Sequence, residues 1–250
     1  MNIRENLLRS YIRGIVSEMT RADVQTSKDP LDWITAAYQD PEEWGEENKF
    51  LAMKRACDEL GLKYLGIGSS RIAYALDSDR VVKIAANVAG LKQNELEVVA
   101  GNDPMVDAIL ARVLDYSGDD YCWVVAERVE PLDEMNIKMA EEMTGVAWSE
   151  VLDAVGLPGR TEYDRTEPMA GVKVDVDLRS KVSSGCLGGD EFLDAVRMFV
   201  GRYKGMLLGD LTKVSSWGRN KRGCLVLLDY GITRQKYDQF YTAGRVKTGV

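Results

Sequence analysis

The chain reads as an α+β protein in which a strand-rich part is followed by a helix-rich part. Three observations carry that reading. From residue 62 the helical texture gives way to short apolar runs punctuated by Gly and Asp, in LKYLGIGSSRIAYALDSDRVVKIAA. After one helical stretch, GLKQNELEVVAG, the same texture returns in ARVLDYSGDDYCWVVAERV. Beyond residue 131 helical spacing dominates, up to GDEFLDAVRMFVGRYKGMLL. Strands with one helix, then helices, is the order of an α+β fold in two parts.

Taken in order, the first segment places Ile3, Leu7, Leu8, Tyr11, Ile12, Ile15, Val16 and Met19 at helical spacing, with Arg4, Glu5, Arg9, Arg13 and Glu18 on the other faces. This amphipathic helix over 3–19 either packs on its own domain or docks on a partner. Residues 21–30 read as a linker. A second helix is expected over about 41–60, opened by Asp40 as N-cap and Pro41 at the first helical position, and closed at Gly61. Then come two strands around a glycine turn, a tight turn at Asp77-Ser78-Asp79, a third strand, and the helix just quoted. A hairpin turning at Gly118-Asp119-Asp120 follows, its mostly apolar second strand expected to be central. A polar stretch over about 158–190 interrupts the later helices, and a short hairpin near Asn220–Gly223 leads into CLVLLDYG.

Composition excludes several classes of chemistry. The 250 residues include no histidine, which removes Ser-His-Asp and Cys-His catalysis and the commonest transition-metal ligand. The cysteines, Cys57, Cys122, Cys186 and Cys224, are widely spaced without a CxxC pair. A zinc site is therefore not expected, and all four are expected to be reduced thiols. A net charge of −8 argues against general nucleic-acid binding. No run approaches 18 apolar residues and the N-terminus lacks an uninterrupted apolar core, so neither membrane span nor signal peptide is expected.

Several residues stand out chemically, each with a plainer reading beside it. Gly66 to Ser70, GIGSS, either cradles phosphate with backbone N–H groups or is simply a hairpin turn. Lys83 lies in the apolar strand VVKIA and either snorkels from it or is aimed at something negative. Glu97, on the next helix, is a candidate partner for it. Asp210 in LLGDL and Asp229 in LVLLDYGIT are each either a turn former or a functional carboxylate.

Their order is the part list of a kinase. From Leu62 to about Thr233 the chain resembles a protein-kinase-like domain: a glycine loop, a strand lysine, a helix acid, an apolar hairpin, a helix then Asp, a hairpin then Asp-aromatic-Gly. The resemblance implies a bilobal fold, with an N-terminal helical segment (1–61), a strand-rich N-lobe (62–130) and a reduced helical C-lobe (131–250). It also implies that ATP and magnesium bind between the lobes. Gly66, Gly68, Ser69, Ser70 and Arg71 would lie over the phosphates, Lys83 would bind them and Glu97 would hold Lys83. Glu127 to Val129 would face adenine through backbone groups, Asp210 would accept the acceptor's proton, and Asp229 and Ser215 would hold the metal.

The chain departs from the family in four places. Arg71 stands where the third glycine belongs, Leu208-Gly209 precedes Asp210 in place of His-Arg, and Ser215 replaces the metal-binding Asn. Only the 19 residues from Ile232 to Val250 follow Gly231, which leaves no Ala-Pro-Glu segment and no conventional peptide platform. The strings LLRSYIRGIV, VVKIAANVAGLKQNELEV and LLDYGIT followed by YDQFY also resemble uncharacterised proteins of tailed bacteriophages, whose virion proteins carry similar N-terminal leaders. Two functions are therefore expected: an ATP- and magnesium-dependent phosphotransferase, or a non-catalytic pseudokinase-like assembly protein of a phage particle that docks through residues 3–19. Either would work in the host cytoplasm or the virion and would not be secreted.

Overall fold

In the computed structural model the described residues are 29–156, 185–203 and 211–230. They form a mixed α+β chain with antiparallel sheets, divided into two compact units. The expected helix at 3–19 lies outside the described residues.

The first unit takes in residues up to Glu95 together with Leu114–Ala126. Two helices precede its strands. Helix α1 (Pro30–Gln39) starts at Asp29, whose carboxylate accepts the Leu31 N–H at 3.0 Å, with proline in the first turn. Helix α2 (Lys49–Glu59) is capped by Asn48, which accepts from Phe50 N–H at 2.9 Å, and ends before Gly61 at φ +66°. This corrects two expectations. Residues 29 and 30 start a helix and are not linker, and Asp40-Pro41 opens only a 3₁₀ turn (Glu42–Trp44) that Gly45, at φ +68°, stops. The same Asp-Pro signal occurs twice, and only the first is followed by a long enough periodic run.

The five strands are β1 (Lys63–Ile67), β2 (Arg71–Ala75), β3 (Arg80–Ala85), β4 (Val113–Tyr116) and β5 (Trp123–Glu127), in the order β1-β2-β3-β5-β4. The central place expected for β5 is therefore observed. The β2–β3 turn is built by Asp77, whose Oδ1 accepts the N–H groups of Asp79 and Arg80 at 2.7 Å each while Oδ2 pairs with Arg80. One sheet face presents Ile72, Tyr74, Val82, Ile84, Trp123 and Val125 to Ile34, Met53 and Cys57 of α1 and α2. The indole of Trp123 donates to Thr35 Oγ1 at 2.9 Å, so the polar atom of that buried ring is satisfied. Among the described residues strand β1 is an edge. Tyr64 opposes Tyr74 and Gly66 opposes Ala73, which leaves Leu65 as a bulge, and Tyr64, Leu65 and Ile67 are exposed.

Helix α3 (Val88–Gly101) packs its first two turns against the β1–β2 turn. Ala86 N–H donates to Ser70 O at 2.8 Å, Asn87 Nδ2 to Ser69 O at 3.0 Å, and the Ser70 hydroxyl to Gln93 Oε1 at 2.5 Å. This approach needs a glycine at position 90. A Cβ there would stand 2.1 Å from Ser70 O and 3.0 Å from the Ala85 backbone.

The second unit comprises Leu96–Val113 and the residues from Glu127 onward. Its helices are α4 (Ile137–Thr144), α5 (Trp148–Ala154) and α6 (Gly189–Arg202), and its sheet pairs β6 (Glu130–Pro131), β7 (Trp217–Arg219) and β8 (Leu225–Leu227) in that order. The apolar stripe of α6, including Phe192, Val196 and Phe199, meets Trp148, Trp217, Leu211 and Leu227. Its ring neighbours are close, with Phe192 5.7 Å from Trp217. The β7–β8 turn closes at Gly223, φ +83°, with Asn220 Oδ1 accepting from both Arg222 and Cys224 N–H at 3.0 Å. The four cysteines are not all reduced. Cys186 and Cys224 form a disulfide, tying the approach to α6 to the start of β8 across a sequence separation of 38, while Cys57 and Cys122 are buried free thiols. Burial pushes both free thiols above the ordinary range.

Asp103, just past α3, accepts from Met105 N–H at 3.1 Å, Arg202 Nε at 2.6 Å and Tyr203 Oη at 3.1 Å. Burial pushes its carboxyl up, but these donors prevail and hold it below the usual range, while burial and Asp103 push Tyr203 up to about 12.

Gly90→Ala should lower stability by about 1–3 kcal/mol through overpacking. Gly201→Ala, where a Cβ meets nothing within 4 Å, should raise it by up to about 1 kcal/mol. Denaturant unfolding reads both, and a stabilised Gly90→Ala protein contradicts the close approach. Asp103 has a folded pKa below its unfolded value of about 3.9. Its contribution is present above that value and is lost as pH falls through the depressed folded one. Asp103→Asn should cost about 1–3 kcal/mol at neutral pH and flatten the acid limb of stability against pH; an unchanged acid limb would rule the interaction out as a source of acid sensitivity.

Candidate functional site

The residues singled out by the sequence fall in both units, and each set is described within its own. In the first unit, β2 and β3 are paired with Ala73 opposite Lys83 and Arg71 opposite Ala85. Alternation along a strand then puts Arg71, Ala73 and Ala75 on one face together with Val81, Lys83 and Ala85. That face is opposite the one buried under α1 and α2. Arg71 and Lys83 thus take diagonal positions on that face, beside Ala73 and Ala85, and Arg71 is buried there. Lys83 is half-buried, so its stem is covered along part of its length.

The glycine turn adjoins this face. Gly68 N–H donates to Arg71 O at 2.9 Å, which closes a tight turn over residues 68–71. Gly66 is half-buried, whereas Gly68 and Ser69 are exposed. Ser70 and Arg71, expected to face phosphate, are buried instead. The Ser70 hydroxyl is engaged by Gln93, and an Arg71 guanidinium nitrogen lies 3.4 Å from Asn94 Oδ1. Asn94, fully buried, in turn donates to Tyr121 O at 2.8 Å. Tyr121 has φ +50°, a conformation costly for a non-glycine residue, and the Asn94 bond helps to hold it. The turn is therefore anchored through Ser70 and Arg71, and its outward part is Gly68 and Ser69.

In the second unit three of the singled-out segments come together. Ser216 O accepts both Leu228 N–H at 2.8 Å and Asp229 N–H at 3.2 Å, which sets the start of the Asp-Tyr-Gly segment against the 3₁₀ turn Val214–Ser216. Ser215 and Asp229 are exposed there, while Ser216 is buried. Tyr230 is 1% exposed, donates its hydroxyl to Glu97 O at 3.1 Å and meets Phe199 edge-on at 5.6 Å. Glu97 is itself 1% exposed. A buried carboxylate needs partners, and Glu97 has interactions beyond those described. Asp229 is thus an exposed residue on a backbone fixed by its neighbours, and it takes part in interactions beyond these backbone bonds.

The segment expected to face adenine is placed less openly. Glu127 N–H donates to Arg112 O at 2.9 Å and its carboxylate accepts Arg112 N–H at 3.0 Å, so this side chain is occupied by the neighbouring strand. Val129 packs with Ala111, Cys224, Val226 and Leu228. It comes so near β7 that a Cβ on Gly218 would stand 2.6 Å from its methyl group. Asp210, the expected proton acceptor, lies outside the described residues. Among the described residues no group of three or more Cys, Asp or Glu side chains is placed to hold a metal ion, and no helix is long and apolar enough to cross a membrane.

Two residues were not foreseen as part of this neighbourhood. In the sequence Tyr230 is simply the aromatic between Asp and Gly, and Asn94 carries no signal of its own. An aromatic flanked by polar residues at a strand end carries no sign of where its hydroxyl goes, and a single Asn on a helix looks solvated.

Removing the Tyr230 hydroxyl in Tyr230→Phe should cost about 1 kcal/mol, the usual net value of a hydrogen bond. Asp229→Ala, at an exposed side chain, should change stability by less than about 0.5 kcal/mol. Denaturant midpoints test the pair, and a large loss in Asp229→Ala would reassign that residue to a structural role. Compared with known proteins, the chain matches no protein-family model and no curated protein.

Proposed function

We propose that this chain is a reduced protein-kinase-like nucleotide-binding protein. It binds ATP with magnesium, using Lys83 and the Gly66–Ser69 turn for phosphate and Asp229 with Ser215 for the metal. Asp210 is the residue that would accept a proton in phosphoryl transfer, with Glu97 supporting Lys83. The observation that carries this reading is the convergence, within the second unit, of Glu97, the Ser215-Ser216 pair and Asp229-Tyr230 through the bonds Tyr230 Oη to Glu97 O and Asp229 N–H to Ser216 O. Glu97 is more than a hundred residues from the hairpin that carries Ser216 and Asp229, and a kinase-like site requires these parts to be neighbours. The element order also supports it: hairpin with glycines, lysine on the third strand, helix, apolar hairpin, helix, hairpin, Asp. Phosphoryl transfer asks a protein mainly for positioning and charge neutralisation, which a lysine, a magnesium ion held by a carboxylate and backbone N–H groups would supply.

A second reading, a non-catalytic pseudokinase-like assembly protein of a phage particle docking through residues 3–19, draws on one observation. Arg71, in the place of a third glycine, is buried with Asn94, and Ser70 is held by Gln93, so the turn has been converted in part to a packing element.

Thermal unfolding with and without ATP and magnesium separates the two. At a ligand concentration 100 times the dissociation constant, binding should add about 2.7 kcal/mol. A shift is expected for the parent, and Asp229→Ala and Lys83→Met should each reduce it. No shift at millimolar ATP would leave the assembly reading, for which deletion of residues 1–20 should abolish association while leaving the remainder folded.

A further inference from the structure

We infer that the Cys186–Cys224 disulfide is an exchangeable lock on the second unit, and that Cys186 is the sulfur to which a small external thiol attaches. The two ends differ sharply in access. Cys186 is exposed, whereas Cys224 is 4% exposed and packs with Ala111 and Val226, beside the partly buried Leu228. An incoming thiolate must approach one sulfur along the bond axis, and only Cys186 is open to solvent.

Each end is also held in place without the bond. On one side, Leu187 is buried in the large core cluster, and the next residue, Gly188, is so near α4 that a Cβ on it would stand 3.0 Å from Thr144 O. On the other, Cys224 N–H donates to Asn220 Oδ1 and Cys224 O accepts Asn220 N–H, both at 3.0 Å. Opening the bond therefore leaves two thiols on anchored backbones whose Cα atoms are 5.0 Å apart in the closed form. Thiols held this way re-form their bond readily, because closure needs little further loss of chain freedom.

The step balances as thiol–disulfide exchange. A thiolate attacks Cys186 Sγ, the Cys186–Cys224 bond breaks, and Cys224 leaves as a thiolate that takes a proton from solvent. Attack by a second thiolate on the outer sulfur of the mixed disulfide frees Cys186 and releases the oxidised small disulfide, so that two electrons pass from the external thiols to the protein. The freed Cys224 leads directly into β8, the strand that precedes Asp229. The inference does not depend on nucleotide binding.

The full chain would be equilibrated in a glutathione and glutathione-disulfide buffer, then quenched with acid, denatured and titrated for thiols. Two of the four cysteines should react at the oxidising end. Shifting the folded protein to excess glutathione should give an adduct on the Cys186 peptide, found by mass spectrometry, and returning it to the oxidising buffer, where glutathione disulfide takes up the two electrons, should restore the two-thiol count. Cys224→Ser should take up one glutathione at Cys186, and Cys186→Ser should take up none. Four reactive thiols at the oxidising end, an adduct on Cys224, or a bond reducible only after unfolding in urea would each overturn the inference. So would a folded Cys224→Ser protein whose Cys186 stays unmodified.

Discussion

Helix α3 can lie against the β1–β2 turn only because residue 90 has no side chain. The contact with Ser70 O is closer than any Cβ allows, and several other features depend on it. It brings Asn87 and Gln93 within reach of the turn and positions Asn94 between Arg71 and Tyr121. A glycine in the first turn of a helix ordinarily weakens it. Here the helix retains its place through side-chain bonds to the turn, and the glycine makes those bonds attainable. The same helix supplies Glu97 to the second unit, where the Tyr230 hydroxyl meets its carbonyl. One steric condition thus governs how the glycine turn is held.

Much of the strand-rich part was legible because its signals are local. Asp77 makes its turn with its own carboxylate, and Gly118 and Gly223 take up the positive φ that their hairpins require. The alternation of Ile72, Tyr74, Val82 and Ile84 with Arg71, Ala73 and Lys83 marks a sheet with one face built of large apolar side chains. The helices before it were read less well. Asp29-Pro30 and Asp40-Pro41 are equivalent locally, and what separates them is whether the next turns bury a stripe, as Ile34 does against the sheet.

The candidate site was legible as a list of residue types and not as a set of contacts. Lys83 stands out because it interrupts an apolar strand, and Asp229 because it ends one. The burial of Ser70 and Arg71 depends on Gln93 and Asn94, more than twenty residues on, and no pattern within the turn announces it. Likewise Cys186 and Cys224 carry no paired spacing. Their meeting results from the way α6 and the β7–β8 hairpin pack around Trp217, which is tertiary information.

The bulge at Leu65 has a consequence for how the molecule behaves in company. Strand β1 offers an open row of backbone groups and three exposed apolar side chains, the kind of border on which a stray extended chain can add itself. The extra residue throws the hydrogen-bonding groups on either side of it out of step. A would-be neighbour can then match one half of the strand or the other, but not both. The irregularity that looks like a flaw in the sheet is thus a safeguard against its growth into aggregates in concentrated solution.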